Sequence, residues 1–149
     1  MEAAAADYRR AIDLEPTLTL AYLRLGWIRV TLHDTRARES VEAGLAVASD
    51  PGDRYLARLL IGGIAERESR LDAALGDYEA ARTTCPACQT PYIAIARVET
   101  ARGNSPRAHE TSRAFAALSQ KADDPWWDFC LGGFDLSSLR WLRQAATPR

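Results

Sequence analysis

Apolar residues along this chain recur at spacings of three and four, and no segment alternates apolar and polar positions over a strand's length. The pattern therefore predicts helices throughout. They run from Leu18 to Leu32, Thr35 to Ala48, Arg54 to Glu68, Leu71 to Thr83, Pro91 to Arg102 and Pro106 to Gln120. Thr90-Pro91 and Ser105-Pro106 each offer a side-chain acceptor ahead of a proline, whose missing N–H costs nothing at a helix start, and Asp124-Pro125 repeats the device. Gly103 is suited to end the helix before it. Short turns between these stretches imply antiparallel helix pairs.

The breaks are periodic. Pro16, Pro51 and Pro86 are each separated by 35 residues. Ala4, Tyr8 and Ala11 precede the first proline at the same offsets at which Ala74, Tyr78 and Ala81 precede the third. Before Pro51 the equivalent places hold Glu39, Ala43 and Ala46, a degraded version. Small residues at such offsets let two helices approach, and the aromatic fills the space beside them.

With these residues the chain resembles the tetratricopeptide-repeat (TPR) family, whose pattern spaces an aromatic, Leu-Gly, a Tyr, two alanines around an aromatic, and a proline over 34 residues. Tyr22, Leu25 and Gly26 match the start of one unit; Ile61, Gly62, Ala74, Tyr78, Ala81 and Pro86 match much of the next. Tyr92, Ile95, Ala96, Gly103 and Ala108 match a third, in which Ser112 replaces the aromatic. The resemblance implies an all-α fold, a right-handed superhelix of antiparallel helix pairs, with about three and a half repeats over residues 1–120. Departures are the 35-residue period and the weak match from His33 to Glu39.

Residues 121–149 differ in character and are expected to form a C-terminal capping segment. There Asp124-Pro125-Trp126-Trp127-Asp128-Phe129 starts a short helix ended by Gly132-Gly133, and Asp135 caps a last helix with Leu136, Leu139, Leu142 and Ala146 on one face. The tryptophan pair is read as cap area in preference to a partner's hot spot. At the other end, residues 3–16 look like the second half of a repeat. Either the chain is the C-terminal part of a longer solenoid, which is the expectation, or its open edge docks on another subunit.

Composition narrows the possible functions. The 149 residues are 47% hydrophobic and 26% charged, enough for a core without disulfide staples. Nineteen basic and 20 acidic side chains leave a formal charge of −1, which argues against nucleic acid or an anionic membrane as partner. No run of 18 apolar residues is present, so direct membrane insertion is not expected. The acidic start Met1-Glu2-Ala3-Ala4 does not look like a secretory signal, which favours the cytoplasm; a longer, exported native chain would place it in the periplasm. The 27 alanines favour helix, and the 18 arginines against one lysine point to a GC-rich bacterial genome, scattered as they are among acids.

Candidate chemistry is sparse. Cys85-Pro86-Ala87-Cys88 could bridge, share a metal or exchange thiols, but zinc wants four ligands and only Cys130, His33 and His109 remain, all distant in sequence. The pair reads as occupying a repeat junction, with thiol redox or metal binding as the alternative. His33 and His109 lie near helix ends without a nucleophile or carboxylate set around them, and Glu66, Glu68, Asp72 and Asp77 are spread along helices. Gly62-Gly63 sits within a helix and is read as permitting close packing. No catalytic residue, metal or cofactor is assigned.

A binding role is better motivated. In the TPR family the first helix of each pair lines a concave face, and the resemblance puts Leu20, Leu23, Trp27 and Val30, then Leu56, Leu59, Gly63 and Glu66, then Thr90, Ile93, Arg97 and Thr100 on it. Leu20, Leu23, Trp27, Leu56, Leu59 and Arg97 are the expected partner-binding residues; the other reading is that Leu20, Leu23 and Trp27 pack within the solenoid or against an upstream repeat. The Lys and Asn with which some relatives clamp a chaperone's carboxylate are missing. An apolar groove suits a helix or hydrophobic segment of a protein or peptide partner. The expected role is a non-catalytic scaffold or adaptor. An accessory C-terminal module of a larger enzyme or membrane-associated complex is the other alternative.

Overall fold

A computed structural model describes residues 1–131, and every regular element among them is an α-helix. In chain order these are α1 (Glu2–Leu14), α2 (Thr19–Thr31), α3 (Ala37–Val47), α4 (Pro51–Arg67), α5 (Leu71–Thr84), α6 (Gln89–Ala101), α7 (Ser105–Ala116) and α8 (Pro125–Leu131). The last helix and cap anticipated beyond Leu131 lie outside the described residues. Helices α2 and α3, α4 and α5, and α6 and α7 pack as pairs, and each pair packs on the next through α3 on α4 and α5 on α6. Helix α1 covers one flank of α2, where Ala5 meets Leu25 and Ile28. Among the described residues, no helix is long and apolar enough to cross a membrane.

Two kinds of turn recur. Within each pair the first helix ends on a left-handed residue: His33 (φ 55°), Ser69 (φ 58°) and Gly103 (φ 77°). The residue after each closes the helix with the same backbone bond, Asp34 N–H to Arg29 O, Arg70 N–H to Ala65 O and Asn104 N–H to Glu99 O, at 2.8–2.9 Å. The second kind joins pairs. Glu15–Leu18 and Cys85–Cys88 make the same backbone bonds, the first residue to the carbonyl four before it and the fourth to the carbonyl of the first. A tyrosine hydroxyl then ties each turn down, Tyr22 to Pro16 O (3.2 Å) and Tyr92 to Pro86 O (2.8 Å).

Pro51 does not share this place. It is the first residue of α4, behind an Asp50 cap whose Oδ1 accepts the N–H groups of Gly52 and Asp53. The 35-residue spacing is thus a coincidence of position there. The residues buried on α3 are Ala37, Ser40, Val41 and Gly44, while Glu39 and Ala46 are exposed. The unit before Pro51 is not degraded; it is shifted by two residues from where the proline count puts it.

Glycines set the closest approaches. A Cβ on Gly62 would lie 2.6 Å from the Tyr78 ring of α5, and one on Gly26 would collide with the Val41 side chain of α3. The two pairs therefore meet in the same way, with a glycine on the first helix under a side chain of the second. Leu23, Val41, Tyr55, Ile95 and Val98 are fully enclosed in the common core. Two expected caps are absent: Thr90 lies inside α6 behind Cys88, and α7 starts at Ser105 after Asn104 without a side-chain capping bond. The anticipated Asp124 cap is present, its Oδ1 accepting the Trp126 N–H at 3.0 Å.

Candidate interaction groove

Helices α2 and α4 present their C-terminal halves, and α6 its N-terminal and middle turns, to one groove of about 470 Å³. Trp27 and Val30 come from α2, Leu59, Gly63 and Ile64 from α4, and Ile93 and Arg97 from α6. These residues follow helical spacing on each first helix, which is why one face of each is turned to the same space. Glycine at position 63 leaves the floor open; a Cβ there would meet the Tyr78 hydroxyl at 3.7 Å.

A polar cluster stiffens one wall. Arg97 Nε and Nη2 donate to the two Glu66 oxygens at 2.7 and 2.6 Å, a two-pronged bond joining α6 to α4. Tyr78 donates its hydroxyl to Glu66 Oε2 at 2.8 Å. Burial opposes ionisation of Glu66, but the bonds from Arg97 and Tyr78 outweigh it and hold its carboxyl below the ordinary value. Burial and the neighbouring Glu66 both push the Tyr78 hydroxyl upward. Glu66 is thereby committed as an anion holding two donors, a poor starting point for proton transfer.

The other wall is α8. Trp126 stands edge-on to Trp27 of α2 (5.8 Å between centroids), as does Phe129 (6.0 Å), and α8 packs on α4. Its start is fixed by Asp124, a buried carboxylate that accepts the Tyr55 hydroxyl at 2.6 Å and the Thr90 N–H at 2.7 Å. Further along, Arg24 donates to the Phe129 carbonyl at 2.6 Å with its guanidinium 4.2 Å above the Phe129 ring. Between α7 and α8 the chain crosses back past the α5–α6 turn, where Ala122 N–H bonds Ala87 O at 3.0 Å.

The six residues expected to bind a partner are not one exposed surface. Trp27, Leu59 and Arg97 line the groove. Leu23 and Leu56 are buried in the core, Leu23 against α3 at Gly44. Leu20 is exposed but does not line the groove. Ile93 and Trp127, both nearly half exposed, are the open apolar residues at the mouth. The long-range roles of Asp124, Tyr55 and Arg24 have no local signature in the sequence beyond the Asp-Pro cap.

Cys85 and Cys88 are disulfide-bonded, and Cys130 is a free thiol pushed up to about 11 by burial. The disulfide spans a turn that Glu15–Leu18 builds with the same hydrogen bonds and no sulfur. The turn geometry therefore does not require the bridge. Among the described residues, no group of three His, Cys, Asp or Glu side chains is arranged to hold a metal ion. His33 serves as the left-handed helix terminus of α2, with Nδ1 3.4 Å from Arg67 Nη2. No family model matches this chain, and no curated protein matches it significantly.

Proposed function

We propose that this chain is a TPR-like scaffold, a right-handed stack of helix pairs that binds an apolar segment of a protein partner in the groove between its first helices. The observation that carries the reading is the groove itself, an open, mostly apolar space lined by the first helix of three successive pairs. The recurring turns and the glycine-mediated approach within pairs support the family assignment. Apolar grooves between helices are the usual seat of an amphipathic helix or extended hydrophobic peptide. Trp27, Leu59, Ile93 and Trp127 supply the contact, and the Glu66–Arg97 pair fixes the spacing of α4 and α6. Binding of this kind needs no catalytic group. An adaptor or an accessory module of a larger assembly both use a scaffold in this way.

A peptide-display selection tests the proposal, with Ile93→Asp as counter-selection because that side chain is exposed and its replacement spares the core. Enrichment of one apolar sequence family on the wild-type chain, lost on Ile93→Asp, is the expected result. No enriched family, or one bound equally by the variant, would refute it.

A further inference from the structure

The fold leaves the Cys85–Cys88 bridge without a structural task. Four hydrogen bonds already fix the turn that carries it: Cys85 N–H to Ala81 O (3.0 Å), Cys88 N–H to Cys85 O (3.1 Å), the Tyr92 hydroxyl to Pro86 O (2.8 Å) and Ala122 N–H to Ala87 O (3.0 Å). Glu15–Leu18 makes the equivalents of the first three with no cysteine. The bridge joins residues only three apart, and a short loop is where a disulfide limits the unfolded chain least.

The two sulfur-bearing residues differ in access. Cys88 is fully enclosed by the core in front of α6, whereas Cys85 is only partly covered and stands beside the exposed Thr83, Thr84 and Pro86. A thiol arriving from solvent therefore reaches Cys85 and not Cys88. The first turn of α6 favours a thiolate at Cys88, while Asp124, which accepts the Thr90 N–H of that turn, opposes it. Access, not acidity, decides which sulfur is attacked.

We propose that Cys85 and Cys88 are a redox-active pair that exchanges two electrons with the dithiols and disulfides of other molecules through Cys85. In the reducing direction a thiolate of the dithiol attacks Cys85 Sγ. A mixed disulfide forms there, the Cys85–Cys88 bond breaks, and its electron pair leaves on Cys88 Sγ. The dithiol's second thiolate then attacks the dithiol's own sulfur in the mixed disulfide, which closes the oxidised product and releases Cys85. The two protons given up by the dithiol end on Cys85 and Cys88. The reverse sequence reduces a disulfide. Because no hydrogen bond of the turn uses sulfur, the reduced pair keeps the 5.4 Å Cα separation of the bridged one and is placed to close again. The inference holds whatever the groove binds.

To test it, the oxidised full chain is treated with dithiothreitol over a urea series below the unfolding midpoint, and the state of each cysteine is read by mass spectrometry after acid quench and alkylation. A redox-active pair is reduced in the folded state, so its rate should stay within about twofold across the series. A purely structural bridge opens through unfolding, and its rate climbs with urea. Reduced chain is then given oxidised glutathione. Closure should be at least about tenfold faster than in a reduced peptide of residues 83–90, which has both cysteines but not the folded turn. In single variants, glutathione should add to Cys85 of Cys88→Ala and spare Cys88 of Cys85→Ala. Should either variant fail to fold, the two wild-type measurements decide alone. Reduction that tracks unfolding, closure no faster than in the peptide, or modification of Cys88 as fast as Cys85 overturns the proposal.

Discussion

Tyr55 and Asp124 meet through a buried hydrogen bond of 2.6 Å although 69 residues separate them. Tyr55 sits in the first half of α4, and Asp124 heads α8. Burial, reinforced by the adjacent carboxylate, pushes the Tyr55 hydroxyl far upward, so it remains a donor at any physiological pH. Tyr55→Phe keeps the ring in the core and removes one of three donors to Asp124. Hydrogen bonds to charged groups contribute about 1.5–3 kcal/mol, and the loss should appear as a lower urea midpoint with faster Cys130 alkylation.

Gly62 and Gly76 should respond to alanine in opposite directions. A methyl at position 62 drives into the Tyr78 ring, and overpacking of that kind costs about 1–3 kcal/mol. A methyl at position 76, in the interior of α5, meets nothing within 4 Å, and the gain in helix propensity is roughly 1 kcal/mol. Denaturant titrations of Gly62→Ala and Gly76→Ala check both signs.

Ser69 holds the left-handed conformation that Gly103 adopts freely in the third pair. That conformation costs a side-chain-bearing residue about 1–2 kcal/mol, partly offset in glycine by the greater freedom of its unfolded chain. Ser69→Gly should therefore raise the melting temperature by a few degrees, and Gly103→Ala should lower it. Calorimetry on the two variants decides the matter.

The acid limb of stability should depend on Glu66. Its folded-state carboxyl lies below the ordinary value, so its contribution is present above the unfolded value and is lost as pH falls through the folded one. Asp34, held at about 2 by its hydrogen bonds with Arg36, acts with the same sign on the exposed α2–α3 turn. Glu66→Gln should flatten the fall in stability below the carboxylate range, measured as urea midpoints on a pH series. An unchanged slope would mean that the Arg97 pair forms equally in the unfolded chain.

Removing the disulfide should cost little structure. Closing a loop of four residues limits the unfolded chain by about 2 kcal/mol in the chain-entropy account. Cys85→Ser with Cys88→Ser should lose no more than that and keep the turn, since Glu15–Leu18 forms it without sulfur. Retained protection of the Cys88 amide in hydrogen exchange would verify the second point.

Among the described residues most helices were legible from apolar spacing, because each buries one face and exposes the other; α7 stops at Ala116, short of the expected Gln120. The junctions were legible where local chemistry sets them, as at Pro16, Pro86 and Gly103. Pro51 misled because proline is accepted both before a helix and at its first position, so even spacing hid a different role. That error carried over to α3, where Ala37, Val41 and Gly44, two residues earlier, make the contacts. His33 and Ser69 give no local sign of their left-handed backbone, which the surrounding pair imposes. The groove was foreseen through Trp27, Leu59 and Arg97, but Leu23 and Leu56 show that a motif position names a helix, not its exposure. The seat of α8 was not legible at all, since its partners Arg24 and Tyr55 resemble any surface arginine and any core tyrosine until the chain is folded.

Stacked hairpins ordinarily communicate only with their neighbours, and such arrays unravel from their ends. The bond from Arg24 to the Phe129 carbonyl spans 105 residues and joins the opening pair to the close of the described chain. While it holds, α2 and α8 are locked together and the helices between them should melt as one event; once it parts, α8 is free to fray first.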